Sequence, residues 1–552
     1  MRLTRRQAIQ AASGGLLALE AKRGLAEEQY VSPLGRNVEP TAKGKFEATW
    51  ESLQQYQTPE WYRDAKFGIW AHWGAQCQPE YGDWYARNMY IEGSEDYKFH
   101  VRNYGHPSKF GFKDVIHTWK AENWDPDKLV ALYRAAGAQY FVALANHHDN
   151  FDNFDSKYQA WNSVRQGPKK DLIGGWAKAA RSQGLKFGVS VHAAHAWMWY
   201  EVAQGADKSG PYAGVPYDGK VTKAEGKGVW WDGLDPQDLY AQSHTPGPAR
   251  DTAKLWDWPT NMGASVPDVA YCERFYNRTA DLINKYHPDL VYYDDTGLPL
   301  YPISDAGLRL AAHLYNTNMK LHGGRLEAVL NGKVLNEQQR KCMVWDIERG
   351  QSSVIEPQVW QTDTCIGNWH YDRKVLERHR YKTAATVVHN LADIVSKNGN
   401  LLLNIPVKGD GTLDSDEQTI VAGITHWMGI NRECIFGTRP WKVFGEGPAS
   451  VAEPLRAQGF NEGRGKPMTA DDVRFTTRNG AIYMIELGVP TQELQVKSLG
   501  TAARLLDRPI EHIAMIGSDE RIAWKQGEAL SIQAPHSAPS PEALVYKITL
   551  KS

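Results

Sequence analysis

Five short apolar runs in this chain end in side chains of the kinds that do chemistry. The run at 66–71 leads into His72-Trp73-Gly74, and the run at 140–145 leads into Asn146-His147-His148-Asp149. A third ends at Ser190-Val191-His192, a fourth at Tyr292-Tyr293-Asp294-Asp295-Thr296-Gly297, and a further one at Trp345-Asp346-Ile347-Glu348. A polar residue after any single apolar run is ordinary. Imidazoles, carboxylates and indoles after all five point to a site. Two chemistries fit. Metal-assisted hydrolysis would take His72, His147, His148 and a carboxylate as ligands, but neighbours on a strand face opposite sides, so His147 and His148 do not easily reach one ion. Glycoside hydrolysis needs two carboxylates from different elements flanking the sugar bond. Asp295 and Glu348 meet that requirement, and the histidines would then hydrogen-bond sugar hydroxyls.

The elements that must carry these residues alternate from about residue 60 to 406. In one unit Asp125 can cap a helix with Pro126 at its first position. Leu129, Leu132 and Tyr133 share one face, Gly137 ends it, and the run 140–145 follows as a buried strand. The next unit repeats the pattern, with Leu172, Trp176, Ala179 and Ala180 on one face, Gly184 as the stop and a strand over 185–191. Similar pairs fall at 279–286 and 290–293, at 308–321 and 326–330, and at 386–397 and 401–405. Alternation of this length predicts parallel strands, and a (β/α)8-like TIM barrel fits better than an open sheet; the active site of such a barrel gathers at the strand C-terminal ends. No glycine-rich dinucleotide fingerprint follows any strand, which counts against a nicotinamide or flavin cofactor. We expect no cofactor and no metal.

The stretch 199–252 breaks the rhythm and is rich in Gly, Asp and Lys; a loop this long in a compact domain is usually functional, and at the strand C-terminal face it would roof the site. After Pro440 the pattern changes to short strands. The run 473–477, a turn at Asn479-Gly480 and the run 481–486 predict a hairpin. Near the end Leu544, Tyr546, Ile548 and Leu550 alternate with Val545, Lys547 and Thr549. These features predict a separate C-terminal antiparallel β-sandwich. The expected division is an export signal at 1–28, a barrel at 29–437 and the sandwich at 438–552.

Composition narrows the partners. The chain has 552 residues, with 63 Lys+Arg against 64 Asp+Glu, and no basic stripe, which argues against nucleic acid. No run of 18 apolar residues suggests membrane insertion. Five scattered cysteines without a C-x-x-C pair are neither a disulfide framework nor a zinc site. The 21 tryptophans and 26 tyrosines suit stacking on the C–H faces of sugars as well as filling a large core. At the N-terminus Arg5-Arg6 precedes a small-residue stretch over 8–18, a pattern like a twin-arginine export signal, so a periplasmic or secreted protein is expected.

Several segments resemble the family 29 glycoside hydrolases, the α-L-fucosidases: WYRDAKFGIWAHWG (61–74), GDWYARNMY (82–90), NHHDNFDNFDSKYQAWNSV (146–164) and GNLLLNIPVKGDG (399–411), with IFGTRPWKVFGEGP (435–448) similar to the family's junction into its sandwich. The resemblance implies a retaining double displacement on terminal α-L-fucosyl groups of oligosaccharides or glycoconjugates. It places the nucleophile at the end of the fourth strand in a pattern like W-x-D-x-G, which matches Asp295, two before Gly297, with Asp294 as the alternative. It implies a fucose pocket of His72, His147, His148 and the acidic-Trp pair Asp83-Trp84. His192 stands where many relatives have an aromatic hydroxyl, and Tyr293 and Trp360 are expected to line the sugar. The acid/base is expected in the stretch 345–371, with Glu348 first, then Glu356 and Asp346; Gln361 replaces a Glu of many relatives and cannot serve. The family's Lys-His-His-Asp-Gly has Asn146 and Asn150 at its ends, and its Asn-Asp-Arg reads Asn331-Gly332-Lys333. These departures leave room for a related L-galacto-configured sugar, or for a carbohydrate-binding homologue without activity.

Overall fold

The computed structural model describes residues 30–248, 265–450, 457 and 459–551; the expected export signal lies outside them. Eight parallel strands close into a barrel in chain order: β1 (Phe67–Ala71), β2 (Tyr140–Asn146), β3 (Lys186–Val191), β4 (Leu290–Thr296), β5 (Val329–Lys333), β6 (Val344–Glu348), β7 (Trp360–Cys365) and β8 (Gly399–Asn404). Pairing of Phe67 with Leu401 through Trp70 with Asn404 closes the ring. The barrel expected from the helix–strand alternation is therefore present. Strand β7 carries Trp-Gln-Thr-Asp-Thr-Cys and has no apolar run to announce it, although all six residues are buried.

The helices start and stop for local reasons. Helix α1 (Pro126–Ala135) is capped by Asp125, whose carboxylate accepts from the Lys128 N–H, and Pro126 opens it where no N–H is needed. Helix α2 (Leu172–Ser182) is capped in the same way by Asp171. Helices α3 (Val269–Tyr286), α4 (Ala306–Leu321), α5 (Ala384–Ser396) and α6 (Ser415–Asn431) complete the main outer set, and every one buries an apolar stripe.

The barrel interior is partly polar, and a hydrogen-bonded chain runs through it. Tyr62 and Tyr140 both donate to Gln361 Oε1, at 2.7 and 3.1 Å, and Gln361 Nε2 donates to Asp346 Oδ1 at 2.7 Å. Space for the Tyr140 ring comes from Gly68, where a Cβ would meet that ring at 2.3 Å. Gln361 thus sits at a position with no access to solvent, where an unpaired charge would be costly.

The C-terminal part is a sandwich of a five-stranded antiparallel sheet and a three-stranded one. The first holds β9 (Arg439–Glu446), β10 (Val473–Arg478), β11 (Ala481–Glu486), β13 (Ile510–Met515) and β16 (Leu544–Leu550); the second holds β12 (Leu494–Val496), β14 (Trp524–Gln526) and β15 (Leu530–Ile532). Asn479 and Gly480 both have positive φ, as a two-residue hairpin turn between β10 and β11 requires. Leu544, Tyr546 and Ile548 face the sandwich core, while Val545, Tyr483 and Ile485 on the other face pack into the barrel's apolar cluster. Burial on both faces fixes the sandwich against the barrel.

Candidate active site

At the C-terminal ends of the strands lies a cavity of about 840 Å³ lined by Trp70, His72, Asp83, Trp84, His147, His192, Asp294, Asp295, Lys333, Glu348, Asp363, Trp369, His370 and several rim residues. Four imidazoles meet there: the ring of His72 lies 5.1 Å from His147, 4.9 Å from His192 and 4.7 Å from His370, centroid to centroid. Burial drives the His72 and His147 pKa values well down, and the neighbouring imidazoles add to it; burial holds His192 at about 4 against the pull of Asp294. A neutral imidazole offers one donor and one acceptor, which is what a sugar hydroxyl can match.

Partners behind the rings set the tautomers. Gln76 accepts the Ala86 N–H on its Oε1, so its amide nitrogen donates to His147 Nδ1 at 2.7 Å and the His147 proton sits on Nε2. His148 Nδ1 donates to the His192 carbonyl at 2.8 Å. The chain around this turn is held by Asn146, whose Oδ1 accepts the N–H groups of His192 and Ala193, and by the Arg278–Asp152 pair, fully buried, with Arg278 also on the Asn150 carbonyl. Asn150 has φ +64, a conformation that Asn tolerates where most residues do not. The two asparagines at the ends of the His-His motif are therefore structural.

The carboxylates sort by strand phase. On β4 the Tyr292 hydroxyl reaches inward to Asp363 Oδ2 at 2.8 Å, so Asp294, two residues on, also faces the barrel mouth. Asp294 Oδ2 accepts from His192 Nδ1 at 2.9 Å and lies 3.3 Å from His148 Nε2, while its Oδ1 is 2.6 Å from Lys333 Nζ. Burial alone would raise its pKa, but Lys333 and the two histidines outweigh it and hold the carboxyl well below the usual range. Asp295 has the opposite phase: its carboxylate is 1% exposed, 3.3 Å from His195 Nε2, and accepts the Thr296 N–H at 2.9 Å. It borders the cavity wall, but the group among the histidines is Asp294. Of the two adjacent aspartates, the structure turns Asp294, the alternative, and not the expected Asp295, towards the histidines. Its neighbour Tyr293 is wholly buried and directed towards Tyr276 and Tyr315 on α3 and α4, not towards a sugar.

Glu348, at the end of β6, meets Lys333 Nζ at 2.5 Å. Burial, the largest effect, and the nearby Asp363 and Asp294 push its pKa up to about 7 in spite of Lys333. Of the alternatives, Glu356 is bound to Ser352 at 2.6 Å, and Asp346 is sealed in the barrel interior beneath Gln361. Trp360 is also displaced from its expected role. It is 1% exposed on the outer face of β7, with its indole N–H on the Lys397 carbonyl. Trp369 and His370 take the place expected of it; their backbone N–H groups donate to Asp83 Oδ2 and Oδ1 at 3.2 and 2.7 Å, so Asp83 ties the wall together as well as facing the cavity. Nothing apolar or periodic marks Trp369-His370 in the sequence.

Two groups, His72–His147–His192 and His148–His192–Asp294, have ligand atoms within 4.8 Å of one another. The Gln76 donation argues for the sugar instead of an ion, because it puts a proton on the His147 nitrogen that faces the cavity. The stretch 199–252 contributes none of the lining among the described residues; its Asp218 instead accepts from Tyr90 outside it and from its own Tyr240. Among the described residues, no helix is long and apolar enough to cross a membrane.

A family model described as Alpha-L-fucosidase matches residues 34–433. The alpha-L-fucosidase of Branchiostoma floridae is 25% identical over 509 residues, spanning 89% of this chain and 92% of that protein. The tissue alpha-L-fucosidase of Mus musculus is 24% identical over 533 residues, spanning 92% and 95%. Among solved structures, an alpha-L-fucosynthase of Thermotoga maritima in complex with alpha-L-Fuc-(1-2)-beta-L-Fuc-N3 matches with a TM-score of 0.65 at 25% identity, covering 92% of this chain and all of that one.

Proposed function

The chain belongs to the α-L-fucosidase family of glycoside hydrolases, and we propose that it is an exo-acting retaining enzyme that removes terminal α-L-fucosyl groups from oligosaccharides or glycoconjugates. The proposed nucleophile is Asp294 and the proposed acid/base is Glu348. One observation carries the reading. Asp294 and Glu348 bind the same Lys333 Nζ, at 2.6 and 2.5 Å, so their nearest oxygens lie no more than about 5 Å apart, short of the separation that inverting glycosidases need.

In this reading the ionised Asp294 attacks the anomeric carbon as Glu348 gives its proton to the leaving oxygen. An ester to Asp294 forms and the glycosidic bond breaks. Glu348, now ionised, takes a proton from water, whose oxygen attacks the same carbon and releases Asp294 with net retention. The pKa values support these roles, one group held charged and the other pushed up towards neutrality. His147 Nε2–H, His192 Nε2 and both His72 nitrogens are free to meet hydroxyls.

The test is the anomer first released, followed by proton NMR on an α-L-fucoside, together with mass mapping of the peptide labelled by 2-deoxy-2-fluoro-fucosyl fluoride. α-Fucose first and a label on Asp294 support the reading; β-fucose first, or a label on Asp295, refutes it. The leader-like segment at 1–28 supports export to the periplasm or medium, which fractionation of cells producing the full chain would test.

A further inference from the structure

The rim of the cavity on the Glu348 side is not made by the barrel alone. The segment 459–462, which lies between the sandwich strands β9 and β10, crosses to the barrel and pairs with the backbone just after β6. Phe460 N–H donates to the Glu348 carbonyl at 2.7 Å and Glu462 N–H to the Arg349 carbonyl at 2.9 Å. Gln351 N–H donates to Asn461 Oδ1 at 2.9 Å, and the Glu462 carboxylate is 2.7 Å from Lys382 Nζ. The segment is clamped at both ends, yet the Phe460 side chain lines the cavity and is 57% exposed. Val334, directly after Lys333, lines the same cavity and is 72% exposed.

Both residues sit in the left-handed backbone region, Phe460 at φ +58 and Val334 at φ +51, and so does Arg349 beside them at φ +44. For a β-branched or bulky residue this conformation is strained, and strain of this kind gathers where function needs it. Two large apolar side chains held exposed at such a cost, both next to residues that contact Glu348, call for a ligand.

We infer that Phe460 and Val334 form the apolar walls of the leaving-group subsite, and that they hold the C–H face of the sugar to which fucose is attached. This rests on the fucosidase reading above. An acid that protonates the glycosidic oxygen must stand between the two sugars, the fucosyl ring lies on the histidine floor, and so the space lipward of Glu348 belongs to the leaving group. Phe460 is bonded to the backbone of Glu348 itself. An aromatic ring packs against the apolar face of a pyranose, and because the ring comes from the sandwich part of the chain, that part sets which oligosaccharides are cleaved.

The test compares wild type, Phe460→Ala and Phe460→Trp on a fucosylated disaccharide and on α-L-fucosyl fluoride, which has no leaving sugar and needs no strong acid. Inhibition by free fucose is measured in parallel, and binding of disaccharide against fucose is measured by calorimetry in the Glu348→Gln background. Phe460→Ala is expected to lower kcat/KM for the disaccharide about tenfold, mostly through KM, with the fluoride and fucose inhibition unchanged and with recovery in Phe460→Trp. Equal losses on both substrates would make Phe460 a prop for Glu348 and overturn the subsite, as would no loss on the disaccharide. If no fucoside is turned over, yet the disaccharide outbinds fucose and loses that margin in the Phe460→Ala form, the fucosidase reading falls and the subsite stands. A disaccharide bound no better than fucose overturns the subsite.

Discussion

Asp294 and Glu348, from the fourth and sixth strands, are bound to one ammonium: Lys333 Nζ lies 2.6 Å from Asp294 Oδ1 and 2.5 Å from Glu348 Oε2. The two carboxyl groups are otherwise unequal. Asp294 has His192 and His148 against it in addition to Lys333, whereas Glu348 faces the negative charges of Asp363 and Asp294. One environment keeps a charge, and the other keeps a proton.

Removal of the nucleophile separates the adjacent aspartates. Asp294→Ala is expected to lower kcat by at least about 10³-fold, the scale seen when a covalent nucleophile is lost. Asp295→Asn, which keeps an acceptor for the Thr296 N–H, is expected to stay within about tenfold of wild type, as for loss of one supporting hydrogen bond. Initial rates on an aryl α-L-fucoside decide between them, and the reverse order would restore Asp295.

The pH profile follows from the two pKa directions. Asp294 must be ionised and its pKa is held low, so no loss is expected on the acid side until well below its ordinary range. Glu348 must be protonated and its pKa is pushed up to about 7, so kcat/KM is expected to fall as pH rises through about 7. Lys333 lowers the Glu348 pKa and Asp363 raises it. Hence Lys333→Met should move the alkaline limb to higher pH and Asp363→Asn should move it to lower pH. Profiles for the three proteins test the signs directly.

Gln76 is expected to act on binding. Gln76→Leu frees the His147 tautomer and leaves its Nδ1 without a donor, so KM or the fucose inhibition constant should rise several-fold, in line with one buried hydrogen bond of about 1 kcal/mol. A fall in kcat with KM unchanged would count against that role.

Arg278→Met should destabilise the fold by about 3–5 kcal/mol, because it strands the buried Asp152 carboxylate. Urea denaturation of the variant reads the loss, and retention of the wild-type midpoint would show that the His-His turn needs no such clamp.

Chelation is expected to leave activity unchanged. If EDTA abolished fucose release and a divalent metal restored it, the His72–His147–His192 group would be a metal site and His147 Nε2 would carry no proton.

The barrel and sandwich were legible because their signals are local. Asp125-Pro126 and Gly137 punctuate a helix wherever they occur, Asn479-Gly480 closes a hairpin, and apolar runs such as 140–145 form buried strands with little help from context. The histidines His72, His147 and His192 were legible for the same reason, since each follows such a run. Strand β7 was not, because Trp-Gln-Thr-Asp-Thr-Cys is buried by its neighbours and not by its own composition.

What the chain alone determined, then, was which elements form and that one of two adjacent aspartates on β4 must face the site, since side chains alternate along a strand. Which one was decided by the tertiary structure: the phase of β4 depends on Tyr292 reaching Asp363 on β7 across the barrel. The same holds for Trp360, turned outward under Lys397, and for Phe460, brought to Glu348 from the sandwich side. Local periodicity records alternation but not its phase, and a contact between distant segments exists only once the barrel has closed and the sandwich has packed against it.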